Sequence, residues 1–259
     1  MIISPFIATR VQKVANKLGL EIWSIFRNYS AKDIEIMDFA QPYTVTDRTD
    51  MKSLIDAVKY ITTNKVPGVF VECGVLRGGS VIAMIKTLQQ LNFSDREIYL
   101  FDTFGDMMIP TEHDVSASGV SAFDAPESSV ERQIVRNTNQ IDFPSLQNVK
   151  KNVDKTGYDK SKLKFIVGDV METIQNNIPD KIALLRLDTD FYDSTKCELE
   201  YLFPKLSEGG ILIVDDYGRW QGSRKATDEY IKNNNIKIFL NQIYPSGSVI
   251  GIKQKMTFK

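Results

Sequence analysis

Residues 68–91 read GVFVECGVLRGGSVIAMIKTLQQL. The first six form a short apolar run bounded by Pro67–Gly68 and Gly74, the pattern of a buried strand. The last twelve repeat apolar residues at helical spacing. Between them Gly74 allows a tight turn, and Gly78–Gly79 allow a ligand close to the backbone at the helix N-terminus. Strand, glycine turn and helix in that order predict a unit of an open α/β sheet.

The alternation continues outward. Upstream, residues 50–64 (DMKSLIDAVKYITTN) are amphipathic with a period near 3.6 and an acidic start. Downstream, strands are expected at 97–102 (EIYLFD), 163–169 (LKFIVGD), 182–188 (IALLRLD), 210–216 (GILIVDD), 236–240 (IKIFL) and 248–252 (SVIGI). Helices are expected at 170–178, 194–203 and 223–233. The first five strands alternate with helices. The last two are joined by the short NQIYPSG, which predicts a hairpin whose final strand runs antiparallel. The fold class is therefore α/β: a seven-stranded, mostly parallel sheet with helices on both faces.

Residues 8–28 carry apolar positions at helical spacing with basic residues between them, a helix packed on the domain or on a partner subunit of a homo-oligomer. The expected organisation is an N-terminal helical extension over 1–48 and one domain over 49–259. Residues 105–137, polar and Ser-rich, interrupt the rhythm just after the second strand. That position predicts a lid over the carboxyl ends of the strands, where open α/β sheets bind ligands. The single histidine, His113, lies in it, and a lone loop histidine is more often solvated than catalytic.

Lys plus Arg (32) balances Asp plus Glu (33), so no basic excess asks for a nucleic-acid partner. Cys73 and Cys197 match no zinc spacing and read as reduced, buried small residues. The start MIISPFIATR lacks the basic segment of a secretory signal, and no run has the length of a membrane span, so a cytoplasmic protein is expected.

The glycine spacing after the first strand is not that of a dinucleotide site, and Glu72 before the turn disfavours an anionic ligand. An acid there suits a ligand bearing positive charge, such as the sulfonium and amino groups of S-adenosylmethionine. Asp102 ends the second strand, where an acid can accept hydrogen bonds from a ribose diol, and Asp169 ends the third, beside an adenine edge. The competing reading is that these aspartates only cap helices. Further on, LRLDTDFYDST (185–195) and ILIVDDYG (211–218) place Asp188, Asp190, Asp215 and Asp216 beyond two neighbouring strands. Four carboxylates in one small volume repel one another, and a divalent cation relieves this. An all-oxygen donor set favours Mg²⁺, Mn²⁺ or Ca²⁺ over zinc. Asp193 reads as a cap of the next helix. Asp188–Thr189–Asp190 also matches the short aspartate–x–aspartate motif of many glycosyltransferases.

Taken together, PYTVTDRTDMKSLIDAVKYI, VPGVFVECGVLRGGS, YLFDTFGD, ALLRLDTDFYDSTKCELEYLFPKLSEGGILIVDDYG and SRKATDEYI resemble the macrocin O-methyltransferase family over about residues 42–253. The resemblance implies a Rossmann-like class I methyltransferase fold and an S-adenosylmethionine- and Mg²⁺-dependent O-methyltransferase acting on hydroxyls of sugars in natural products. It implies Asp188, Asp215 and Asp216 as metal ligands and Asp190 as general base. Glu72, Gly74, Ser80, Asp102 and Asp169 would line the coenzyme, with Thr44 closing over it. Leu76 stands where tryptophan is common, and FDTFGDMMIP replaces FDSFEGLP, departures that touch the lid and the acceptor. Acceptors on a secondary metabolite, a polysaccharide precursor or a polyketide are all compatible. A metal-dependent glycosyltransferase or a catalytically silent binding subunit are the alternative readings.

Overall fold

The centre of the sheet is the run Ile182–Leu187, whose six residues are all buried, as expected of a strand covered on both faces. The computed structural model describes residues 29–105, 110–122 and 145–254. In chain order the elements are α1 (Ala31–Ala40), α2 (Arg48–Thr63), β1 (Val69–Cys73), α3 (Gly79–Gln90), β2 (Ile98–Asp102), α4 (Leu146–Asp154), β3 (Leu163–Val167), α5 (Val170–Thr173), β4 (Ile182–Leu187), α6 (Tyr192–Leu202), β5 (Leu206–Val214), α7 (Gln221–Asn233), β6 (Leu240–Gln242) and β7 (Val249–Ile252). The sheet order is β3-β2-β1-β4-β5-β7-β6. The first five strands are parallel; β7 pairs antiparallel with both β5 and β6. The seven strands and the antiparallel finish expected from the sequence are present.

Strand order reverses between β1 and β4, so their carboxyl ends open one crevice. The two chains touch there: Asp188 N donates to Cys73 O at 2.9 Å. Gly74, at φ +83°, makes this contact possible, because a Cβ on it would lie 2.0 Å from the Asp188 carbonyl oxygen. One core packs α1, α2, α3 and α4 on one face of the sheet, through residues such as Met37, Leu54, Ile82 and Val149. The other packs α5 and α6 on the opposite face, through Val170, Leu199 and Leu202.

Several boundaries differ from the sequence reading. The strand expected at 236–240 begins only at Leu240. The alternation in IKIFL reads as a strand, but β7 sets the register: Leu240 pairs with Gly251 and Gln242 with Val249, leaving residues 236–239 outside the ladder. Helix α4 was not anticipated; α1 lies within the stretch read as a helical extension and buries Ile36, Met37 and Ala40. The segment 170–178 is helical for only four residues before a 3-10 turn at Ile174–Asn176. The helix expected at 8–28 lies outside the described residues. No described helix is long and apolar enough to cross a membrane.

Residues 110–122, within the stretch read as a lid, dock on the start of α7. Val115 bridges Ser121 and Ser116 bridges Trp220. Ala117 N donates to Arg219 O and Gln221 N to Val115 O. This strap also reaches α6. The buried Asp114 accepts the Tyr192 N–H at 2.8 Å, while Phe191 at the N-cap position offers no side-chain bond. Asp193 is therefore not the cap expected from the sequence; it sits inside the first turn, and the cap comes from another segment.

Candidate active site

Four of the predicted acids converge. Asp188 follows β4, and Asp215 and Asp216 open a 3-10 turn at the end of β5. One carboxylate oxygen from each of these three lies within 4.8 Å of the others, with Asp215 and Asp216 buried. Burial pushes the Asp216 carboxyl well above the usual range, and the charges of Asp190, Asp188 and Asp215 push it further. Burial also raises Asp215. The negative charge of the cluster is opposed by Arg186 and Arg219, which lower Asp215.

Part of that charge is met by Arg186, a fully buried side chain in β4. It donates to Asp188 Oδ2 at 2.6 Å, Asp215 Oδ1 at 2.6 Å and Glu72 Oε1 at 2.8 Å. Burial alone would lower its pKa; the three acids more than reverse this and hold it well above the ordinary value. Arg186 thus ties the acid of the glycine turn to two acids of the cluster. Sequence reasoning missed it, although an arginine inside the apolar run IALLRL was a visible signal.

Asp190 lies beside the cluster with φ +67°, a left-handed conformation uncommon for a non-glycine residue. Its N–H donates to Asp216 Oδ2 at 3.1 Å, and its Oδ1 accepts the Trp220 Nε1–H at 3.1 Å. Burial raises its pKa, against the lowering by side-chain bonding to Asp216 and to Trp220. Between the two acids of the DTD stretch, Thr189 turns inward and donates to the buried Glu198 Oε1 at 3.0 Å. Trp220 and Asp114 carried no sequence signal, because each meets its partner across tens of residues, and Glu198 reads only as one acid of an amphipathic helix.

The residues expected on the coenzyme side lie at and around the carboxyl ends of β1, β2 and β3. Glu72 is buried, with Oε1 on Arg186 and Oε2 lacking any partner. Burial pushes it up to about 8 even against the lowering by Arg186. Helix α3 starts after Gly78, at φ +88°, with no side-chain cap, and Ser80 is buried in its first turn. Thr44 rests on that turn: a Cβ at Gly79 would lie 2.4 Å from the Thr44 Cβ. Asp102 Oδ2 accepts the N–H groups of Val75 and Leu76, and its Oδ1 that of Phe104, so this carboxylate closes the glycine turn. Asp169 caps α5 through Met171 N at 2.8 Å, which leaves its second oxygen available. His113 stands edge-on to the Tyr192 ring, 4.9 Å between centroids.

A sheet of this order, with a glycine turn after β1, has the class I Rossmann-like methyltransferase fold. The solved structure of the O-methyltransferase NovP superposes with a TM-score of 0.70 at 24% identity, covering 97% of this chain and 99% of that one. The calicheamicin methyltransferase CalS11 gives 0.61 at 20% identity, covering 97% and 94%. The model of the macrocin-O-methyltransferase (TylF) family matches residues 27–249. The chain belongs to that family and is an O-methyltransferase. It is 30% identical over 191 residues to demethyldecarbamoylnovobiocin O-methyltransferase of Streptomyces niveus, 74% of this chain and 68% of that protein. It is 28% identical over 195 residues to mycinamicin III 3''-O-methyltransferase of Micromonospora griseorubida, 75% and 72% of the two chains. Membership sets aside the glycosyltransferase reading.

Proposed function

We propose that this protein methylates a hydroxyl of a sugar in a small glycosylated acceptor, using S-adenosylmethionine and a divalent cation. The observation that carries the proposal is the convergence of Asp188, Asp215 and Asp216 beside Asp190. The relatives' names support the acceptor class: one acts on a rhamnosyl tetracenomycin, others on demethyldecarbamoylnovobiocin and mycinamicin III.

The residues suit both absent groups. Three carboxylates crowded together, two of them buried and raised in proton affinity by that burial (Asp215 and Asp216), suit a hard divalent cation. The partnerless Glu72 Oε2 and the uncapped first turn of α3 suit the charged methionine end of the coenzyme. When bound, the coenzyme supplies an electrophilic methyl group, and the cation supplies a Lewis acid that acidifies an acceptor hydroxyl. Asp188, Asp215 and Asp216 would hold the cation, with Arg186 fixing two of them. Glu72, Gly74, Ser80, Asp102 and Asp169 would surround the coenzyme, and Thr44 would cover it. Asp190 takes the hydroxyl proton on Oδ2, because Oδ1 is engaged by Trp220. Phe191 and Trp220, both buried, keep bulk water from one side of that carboxylate.

The test is methyl transfer from labelled S-adenosylmethionine to methyl α-L-rhamnopyranoside and to demethyldecarbamoylnovobiocin, each with Mg²⁺ and with EDTA. Metal-dependent labelling of a sugar hydroxyl is expected. Labelling undiminished by EDTA would remove the metal from the proposal.

A further inference from the structure

Asp190 is held in a left-handed backbone conformation that is unfavourable for a non-glycine residue, and such positions persist where the surroundings over-determine them. Here the surroundings are specific. The Asp190 N–H is fixed by Asp216, its Oδ1 by the indole of Trp220, and its neighbour Phe191 by an edge-on contact with the same indole, 5.7 Å between centroids. Trp220 is itself fixed. Its N–H donates to Asp216 O at 2.9 Å, Ser116 of the strap bridges it, and it is 5% exposed.

We infer that Trp220 is a positioning residue for the reaction: its indole N–H locks one oxygen of Asp190 so that the other alone faces the acceptor hydroxyl. This rests on the reading of Asp190 as general base proposed above. A carboxylate free to rotate divides its time among orientations; one oxygen bound to a neutral donor leaves a single basic atom in a fixed place. The arrangement also gives the strap a task. By pinning residues 219–221, it holds the indole at the distance the bond needs. The competing role for Trp220 is a wall for the acceptor, because the residue also lines a cleft of about 520 Å³ with Tyr217, Arg224 and Glu229.

Two measurements separate these. In protein labelled with ¹⁵N-tryptophan, the Nε1–H resonance of Trp220, assigned from Trp220→Phe, should move in Asp190→Asn without any acceptor present. An unmoved resonance means that the bond is absent in solution and overturns the proposal. The second is a double-mutant cycle on methylation of methyl α-L-rhamnopyranoside. Trp220→Phe should lower kcat about tenfold with KM for S-adenosylmethionine unchanged, and Asp190→Asn about a hundredfold or more. The double variant should be no slower than Asp190→Asn alone. Losses that multiply would mean that Trp220 acts apart from Asp190, as acceptor wall, and would overturn the proposal. A full rate in Asp190→Asn would remove the general base itself, and with it the reading on which the inference rests. Should Trp220→Phe fold poorly, 3-benzothienylalanine at position 220 keeps the ring's shape and lacks the N–H; a rate equal to wild type there would also overturn the inference.

Discussion

Arg186 and Asp215 are joined by a buried 2.6 Å ion pair, and through the same guanidinium Glu72, before the glycine turn, is linked to the acids of the cluster. Removing one partner of a buried pair leaves uncompensated charge, a cost of about 3–5 kcal/mol. Arg186→Met is therefore expected to lose about that much stability in urea titration, because Glu72 and Asp215 remain buried. Arg186→Lys keeps the charge but not the fork that reaches three acids, and should fall between it and wild type. Equal stability of Arg186→Met and wild type would contradict this account.

Asp114 supplies the cap that α6 lacks locally, and Gly222 permits its approach, since a Cβ there would lie 2.3 Å from Asp114 Oδ1. Asp114→Ala should cost about 1–2 kcal/mol, in the range of lost helix caps, and expose the strap to limited proteolysis. Asp114→Asn keeps an acceptor and should be milder. Unchanged protease resistance in Asp114→Ala would show that the strap does not depend on this anchor.

Glu198 is buried, and burial pushes its pKa from 4.5 to about 8. The folded chain keeps this proton up to about pH 8, whereas the unfolded chain releases it near pH 4.5. Between those values the folded state binds more protons, so raising the pH favours unfolding. The melting temperature of the wild type should fall by several degrees from about pH 5 to pH 8. Glu198→Gln, neutral throughout and able to accept from Thr189, should flatten that slope. An identical slope in both proteins would refute the assignment.

The fold was legible because β1, β4 and β5 are apolar runs that stop at glycine or aspartate, and such runs have few alternatives in a chain of alternating helices. The acid cluster was legible for the same reason, since the end of a strand announces its place in the sheet. Helix α4 was not, because only Val149 and Val153 of its nine residues are buried, too little for a periodic signal. The cap on α6 was hidden by distance: 78 residues separate Asp114 from Tyr192. Asp102 shows a third kind of loss. Its place at the end of β2 was readable, but its bonds to Val75 and Leu76 depend on how the glycine turn folds back.

The cation is the part of the account that one titration tests most directly. Electron paramagnetic resonance of free Mn²⁺ should reveal one saturable site on the wild-type protein. That site should be lost or weakened at least tenfold in Asp216→Asn, with S-adenosylhomocysteine binding retained. A wild-type protein that leaves Mn²⁺ free, or an Asp216→Asn variant that binds it equally well, would contradict the claim that Asp188, Asp215 and Asp216 hold a metal.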